Sequence, residues 1–162
     1  NYNEKEFQYL FETLENEGAD VCVASNTLEK ALGRLEGYVT PDCTIADLNP
    51  EEFDALILVG GYGARVYLWD DPDTHEAVRR FVESGKVVGA ISTAPVVLAK
   101  AGVLRGRRAT GYPDYESTLA MQDGEAHFVH ENVVVDDNII TCSHSRFVED
   151  FATALIQKLK GT

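Results

Sequence analysis

Two kinds of apolar pattern alternate along the chain. Short runs rich in valine and isoleucine, bounded by turn residues, predict buried strands at 19–25, 55–61 and 86–91. Segments in which apolar residues recur every three or four positions predict helices at 3–18, 71–85, 92–102, 114–122 and 147–159. Strands that alternate with amphipathic helices predict a three-layer α/β sandwich, with a mostly parallel sheet covered on both faces.

The remaining segments are shorter. Residues 108–111 predict a short strand, and residues 133–135 and 139–141 predict a hairpin. Pro41 and Asp42 interrupt the β-branched segment 38–45, which therefore predicts an edge hairpin or arm outside the main sheet. A sheet of this kind normally opens with a central strand, whereas here a helix comes first. We therefore expect the first strand to lie in residues that precede Asn1 in the native gene product.

Composition and charge narrow the function classes. The 162 residues are 44% hydrophobic and 25% charged, which is typical of one folded domain spanning residues 1–162. With 14 basic and 27 acidic residues the net charge is −13, which argues against nucleic acid and anionic membranes as partners. The chain has no apolar run of 18 residues and no signal-peptide pattern, so we expect a cytoplasmic protein.

The cysteines do not form a familiar motif. Cys22, Cys43 and Cys142 are odd in number and include no C-x-x-C pair, which argues against a zinc site or a disulfide framework and favours a reducing compartment. We expect Cys22 to be a buried core thiol, Cys43 to lie on the arm and Cys142 to lie at a strand end near the pocket. Asp136 and Asp137 read as a hairpin turn, and no phosphate-binding motif is present, so no metal or cofactor is expected.

Candidate chemistry centres on Ser92. Small residues, Ala90 and Ala94, lie two positions either side of it, at a strand-to-helix junction without a loop. A nucleophile elbow has this form, because the sharp turn tolerates only small flanking residues. The backbone N–H of Thr93, with a second donor from Gly61, would then form an oxyanion hole. The alternative is a purely structural role, in which Ser92 only caps the following helix.

Four segments carry a family resemblance. They are NPEEFDALILVGG (49–61), GKVVGAISTAP (85–95), LAKAGVLRGRRATGYPDYE (98–116) and VVVDDNIIT (133–141). With them the chain resembles the ThiJ/PfpI superfamily, which includes the Parkinsonism-associated deglycase, intracellular PfpI-type proteases and heat-shock glyoxalases. The resemblance runs from Glu6 to the final helix. It implies a flavodoxin-like, class I glutamine amidotransferase-like fold, a stress-related role and a homodimer or larger assembly.

The resemblance also implies site residues. In that family the elbow residue is a cysteine whose thiolate is hydrogen-bonded by a glutamate near the start of the first helix. Ser92 stands at the cysteine position, and Glu6 stands at the glutamate position. Thr93 replaces the histidine of PfpI-type proteases. Further pocket positions match Gly60, Tyr112 and Ala94.

The serine leaves several interpretations open, because a hydroxyl needs a positioned base where a thiol needs little help. One is a serine hydrolase of small esters or amides that uses Ser92, His144 and Glu6. Another is a ligand-binding or chaperone-like protein with a blunted site, and a third is a serine engineered in place of a natural cysteine. His144 follows the strand 139–142, although a histidine between two serines is more often an exposed turn residue. Glu6 has a competing role as the capping partner of Asn3.

Overall fold

The computed structural model of the protein describes residues 1–161. Its helices are α1 (Glu4–Asn16), α2 (Pro72–Glu83), α3 (Pro95–Lys100), α4 (Tyr115–Asp123) and α5 (Val148–Lys160). The strands of the first half are β1 (Ala24–Ser25), β2 (Ala31–Leu32), β3 (Tyr38–Val39), β4 (Cys43–Thr44) and β5 (Ala55–Leu58). Those of the second half are β6 (Val87–Ile91), β7 (Arg108–Ala109), β8 (His127–Phe128), β9 (Val133–Asp136) and β10 (Ile139–Cys142).

The central sheet has the strand order β5-β6-β10-β9. Strand β6 pairs in parallel with both β5 and β10, while β9 pairs antiparallel with β10 and completes the predicted hairpin. The sheet is therefore mostly parallel, as the sequence predicts. Because β5, β6 and β10 run in the same direction, the residues that follow them meet at one edge.

Alternate residues of β6 show how the sheet is covered. Val88 and Ala90 face a core cluster built with α2 and α3, whereas Val87 and Ile91 face a second cluster built with α1 and α5. Successive side chains of a strand point to opposite faces, so both faces are buried beneath helices. This confirms the predicted three-layer α/β sandwich.

Residues 19–44 lie outside the central sheet. They include most of the segment 38–45 that the sequence predicts to be an arm, and from here on we call the whole range 19–44 the arm. The predicted core strand at 19–25 is wrong in extent: only Ala24–Ser25 is a strand, and it pairs in parallel with Cys43–Thr44. Strands β2 and β3 form a separate hairpin. Cys22 is exposed, which corrects the expectation of a buried core thiol. The valine-rich pattern indicated burial, but this segment has no central-sheet neighbour in residues 1–161 to bury it.

The second half of the chain adds a small parallel pair, β7 with β8, beside the central sheet. The predicted strand at 108–111 is therefore two residues long, and it delivers Tyr112 to the edge where β6 and β10 end. Among residues 1–161, no helix has the length and apolar character required to cross a bilayer.

Candidate functional site

The candidate site is the corner between β6 and α3. Ser92 has a φ of +63°, a left-handed conformation that non-glycine residues rarely adopt. Three backbone hydrogen bonds fix this turn: Ser92 N–H donates to Cys142 O at 2.8 Å, Tyr112 N–H donates to Ser92 O at 2.8 Å, and Ala94 N–H donates to Ile91 O at 3.1 Å. Such strain persists only where the surroundings over-determine it. The structure thus has the sharp turn that the small flanking residues predict.

Glu6 enters the site from the first turn of α1. Asn3 caps the helix by accepting from the Glu6 N–H at 3.2 Å, but the Glu6 carboxyl does not return to Asn3. Instead, Asn3 N–H donates to Gly60 O at 2.9 Å, and Gly60 N–H donates to Glu6 Oε2 at 2.6 Å. In a capping box the Glu6 carboxyl would accept from Asn3 N–H. Here Gly60 binds both groups instead, and the carboxyl lies in the protein interior.

The Glu6 carboxyl is mostly protonated at pH 7. It is completely buried, and burial raises its pKa to about 8, against the smaller opposing effect of the Gly60 hydrogen bond. Its second oxygen, Oε1, has no hydrogen-bond partner among residues 1–161. A protonated Oε1 is a hydrogen-bond donor. Glu6 is thus a neutral acid with an unused proton.

Gly60 brings Glu6 and Ser92 together. A Cβ atom added at this glycine would lie 3.0 Å from Ser92 Cβ, 3.1 Å from Glu6 Oε2 and 2.9 Å from Ile91 O. The acid and the elbow side chain therefore flank the same small space, which any side chain at position 60 would fill. Ser92 is 8% exposed, and its Oγ makes no hydrogen bond within the described chain.

The two candidate oxyanion donors differ. Gly61 N–H donates to Thr93 Oγ1 at 3.2 Å, and that hydroxyl donates to Gly61 O at 3.1 Å, so the Gly61 N–H is already engaged. The backbone N–H of Thr93 makes no hydrogen bond to another residue among 1–161. Thr93 is therefore the available donor at this corner, and its side chain locks the loop that follows β5. Ala94 is fully buried behind the turn.

His144 lies near the corner but is used locally. Its Nδ1 accepts from Arg146 N–H at 3.1 Å and thereby caps the short turn Ser145–Phe147. Its ring packs against Tyr112, with 5.6 Å between centroids. Burial, aided by the positive charges of Arg146 and Lys5, lowers the pKa of His144, so the ring is neutral at neutral pH. The structure places His144 beside Tyr112 and shows no hydrogen bond from it to Ser92.

Sequence reasoning missed the residues that support this corner. Trp69 Nε1–H donates to Thr93 O at 2.9 Å, and the Arg65 guanidinium stacks over the Trp69 ring at 4.4 Å. Arg65 also pairs with Asp114 at 2.6 Å and with Glu116. These contacts tie the loop after β5 to the start of α4. Asp114 carries a sequence signal as a helix cap, whereas nothing local marks Arg65 as its partner.

A cavity of about 160 Å³ lies along the same edge. It opens between the ends of β7, β8 and β10, and its lining includes Gly111, Ser143 and Arg146. Gly111 also approaches the elbow, because a Cβ there would lie 3.6 Å from Ser92 O. Within residues 1–161, no three or more His, Cys, Asp or Glu side chains are grouped to hold a metal ion.

Fold and corner together define a flavodoxin-like α/β protein with a candidate nucleophile at a strand-to-helix turn. An uncharacterized protein of Methanocaldococcus jannaschii is 36% identical over 154 residues, 93% of this chain and 75% of the relative. A Pyrococcus abyssi protein named a deglycase is 35% identical over 140 residues, 86% of this chain and 82% of that one. The crystal structure of a ThiJ/PfpI domain protein from Brachyspira murdochii superposes with a TM-score of 0.94 at 30% identity, covering 100% of this chain and 92% of that one.

The family model described as the DJ-1/PfpI family matches residues 1–158. This chain belongs to the DJ-1/PfpI family. The resemblance drawn from the four sequence segments is thereby confirmed, together with the flavodoxin-like fold that it implies.

Proposed function

We propose that this protein binds and slowly transforms small reactive carbonyl compounds at the Ser92 corner, as a stress-related member of its family. One observation carries the proposal: the buried, neutral carboxyl of Glu6 and the strained Ser92 flank the same space beside Gly60. The deglycase name of the Pyrococcus abyssi relative supports carbonyl compounds as the substrate class.

The geometry suits addition to an aldehyde. Ser92 Oγ would attack the carbonyl carbon while the Glu6 Oε1–H donates its proton to the carbonyl oxygen, and the carboxylate so formed takes up the serine proton. The product is a hemiacetal, and the Thr93 N–H is available to the developing oxygen charge. A hydroxyl is a poor nucleophile without a strong base, and Glu6 is a weak one. We therefore expect slow chemistry with serine and faster chemistry with cysteine.

Methylglyoxal consumption tests the proposal. The serine protein should turn over slowly, Ser92→Cys should be faster by at least about tenfold, and Ser92→Ala should show background loss only. Each variant changes a single heavy atom of the side chain, so we expect little effect on folding. Equal rates for serine and cysteine would refute the idea that the serine slows the reaction. No turnover by either protein would exclude carbonyl compounds as the substrate class.

The serine hydrolase alternative has a separate test. Its weakness is that no base among residues 1–161 is hydrogen-bonded to Ser92 Oγ, and that His144 Nδ1 accepts from Arg146 N–H. A fluorophosphonate probe that labels the protein but not Ser92→Ala would support the hydrolase. Absence of labelling, combined with tight binding of an aldehyde and no turnover, would instead support a ligand-binding or chaperone-like role.

We also propose a cytoplasmic homodimer. Large exposed apolar side chains come from the arm and from the loop after β5, and Asn26 joins the two segments by donating to Tyr67 O at 3.2 Å. In these two segments the exposed side chains are Leu28, Leu32, Leu35, Tyr38, Tyr62, Val66 and Tyr67. Exposed apolar side chains on two segments in contact favour association with a second copy, and this association must overcome the repulsion between copies of net charge −13. Light scattering should report a dimer that Leu35→Asp weakens.

A further inference from the structure

Two cysteines that are distant in sequence lie side by side in the arm. Cys22 Sγ and Cys43 Sγ are 3.3 Å apart, and both are free thiols. Cys22 precedes β1 and Cys43 begins β4, so the parallel pairing of Ala24 with Cys43 sets this approach. The odd cysteine count and the absence of a C-x-x-C motif gave no indication of the pair.

The backbone on either side of the two thiols is fixed. Val23 N–H donates to Asp42 Oδ2 at 2.8 Å, and Val23 O accepts from Asp42 N–H at 2.7 Å and from Cys43 N–H at 3.3 Å. Cys22 is exposed to solvent, while Cys43 is half-buried against the apolar cluster under α2. One thiol is therefore open to a dissolved oxidant, and the other is held within reach of it. A disulfide bond is about 2.0 Å long, so the two sulfurs, at 3.3 Å, are about 1.3 Å from bonding distance.

We propose that Cys22 and Cys43 form an intramolecular disulfide when the protein meets a peroxide. The Cys22 sulfur attacks a peroxide oxygen, the O–O bond breaks, and water or an alcohol leaves, giving a sulfenic acid. The Cys43 sulfur then attacks that sulfur, the S–O bond breaks, and water leaves as the S–S bond forms. Two thiols are oxidised by two electrons and one peroxide is reduced.

The bond would close the loop 22–43, which is hydrogen-bonded to the start of α1. Within this loop, Leu35 N–H and Gly37 N–H both donate to the Glu4 carboxylate, the latter at 2.6 Å. Tyr2 N–H donates to Leu32 O at 3.3 Å, and Arg34 N–H donates to Tyr2 O at 3.1 Å. Oxidation would thus reduce the mobility of the arm segment that is hydrogen-bonded to the start of α1, the helix that carries Glu6. It would add no group to the Ser92 corner.

The reaction is expected to be slow at neutral pH. Partial burial of the sulfur, then the hydrogen bond and charge of Cys43 and the nearby acidic side chains Asp42 and Asp20, raise the pKa of Cys22 to about 11, although the residue as a whole is exposed. Only a thiolate attacks a peroxide, so the rate should rise with pH across the range from 7 to 9. The pair therefore suits sustained oxidative exposure.

The test oxidises the intact protein with hydrogen peroxide and counts thiols after denaturation. We expect the count to fall from three to one. The protein should become about 2 Da lighter and contain a peptide that links positions 22 and 43. Cys22→Ser and Cys43→Ser should each block the linked peptide. The melting temperature of the oxidised protein should rise by at least about 5 °C and return with dithiothreitol, because the bond constrains the unfolded chain.

Three results would overturn the inference. The first is a thiol count that stays at three when peroxide is in excess. The second is a disulfide that joins two chains, seen as a double-sized band on a non-reducing gel. The third is a linked peptide without any rise in melting temperature, since the bond would then not constrain the arm. None of these measurements depends on the activity proposed for Ser92.

Discussion

The Ser92 corner and the arm each contain a non-glycine residue in the left-handed region, and they hold it differently. Ser92 has a φ of +63° and Glu36 has a φ of +70°. Ser92 is buried between two strands and a helix, with its N–H and C=O both hydrogen-bonded to other segments. Glu36 is an exposed turn residue between β2 and β3.

The two left-handed residues therefore have different causes. At a hairpin turn the chain itself selects the left-handed residue, and the cost is local. At the corner the turn is imposed by packing from β10, by the loop that follows β7 and by α3. We infer that the corner is rigid and intolerant of change, whereas the arm tolerates substitution and carries exposed leucines such as Leu35, which is 73% exposed.

The largest contrast should come from apolar truncation. Phe151 is fully buried beneath the sheet that carries Ser92, so Phe151→Ala should lower the free energy of unfolding by about 3–5 kcal/mol. Leu35→Ala in the arm, measured at protein concentrations too low for the proposed dimer, should change it by less than about 0.5 kcal/mol. Urea unfolding measures both. Comparable losses from the two variants would mean that the arm is as tightly packed as the core, contrary to the comparison.

The next largest effect is the pH dependence of stability that comes from the buried Glu6. Glu6 has an ordinary pKa of 4.5 and a pKa of about 8 in the folded protein, so between these values the folded state binds more protons than the unfolded state. The contribution of Glu6 to stability therefore falls as the pH rises from about 4.5 to 8 and is constant outside that window. Glu6→Gln keeps the acceptor for Gly60 N–H and cannot ionise, so it should stabilise the protein at pH 7 by about 3 kcal/mol.

Urea unfolding at pH 5 and pH 8 checks this prediction. The gain from Glu6→Gln should be small at pH 5 and largest at pH 8, while Glu36→Gln, an exposed carboxylate of the arm, should give a flat difference. A Glu6→Gln difference that does not vary with pH would show that the carboxyl is ionised and solvated in the folded protein.

The smallest expected difference in stability is between alanine substitutions at two glycines, one at the corner and one in the arm. A Cβ at Gly60 would lie 2.9 Å from the backbone oxygen of Ile91, whereas a Cβ at Gly33 would overlap the Glu4 side chain, which would have to leave its hydrogen bonds with Leu35 N–H and Gly37 N–H. The backbone at Ile91 cannot yield, whereas the Glu4 side chain can rotate away and lose hydrogen bonds that water partly replaces, so Gly60→Ala should cost about 2–3 kcal/mol and Gly33→Ala about 1 kcal/mol. Thermal unfolding ranks them, and the reverse order would contradict the assignment of the corner as the rigid region.

Much of the fold was predictable because its signals are local. Hydrophobic spacing gave α1, α2, α5 and the strands β6 and β10, since burial of one helix face or of a whole strand imposes a period on the sequence. The segment 19–25 has the same valine-rich pattern, yet only two of its residues form a strand. Composition cannot distinguish a strand with neighbours on both sides from one that lacks them.

By itself, the sequence determined the α/β class, the sharp turn at Ser92 and the two competing roles of Glu6. The tertiary structure alone shows where the Glu6 carboxyl lies, because its partner is Gly60, 54 positions away, whose N–H binds the carboxyl. It alone brought Cys22 beside Cys43 and Arg65 beside Asp114. Periodicity records which face of an element is buried, but contacts between distant residues arise only when the elements pack, and that packing sets each charge and distance in the site.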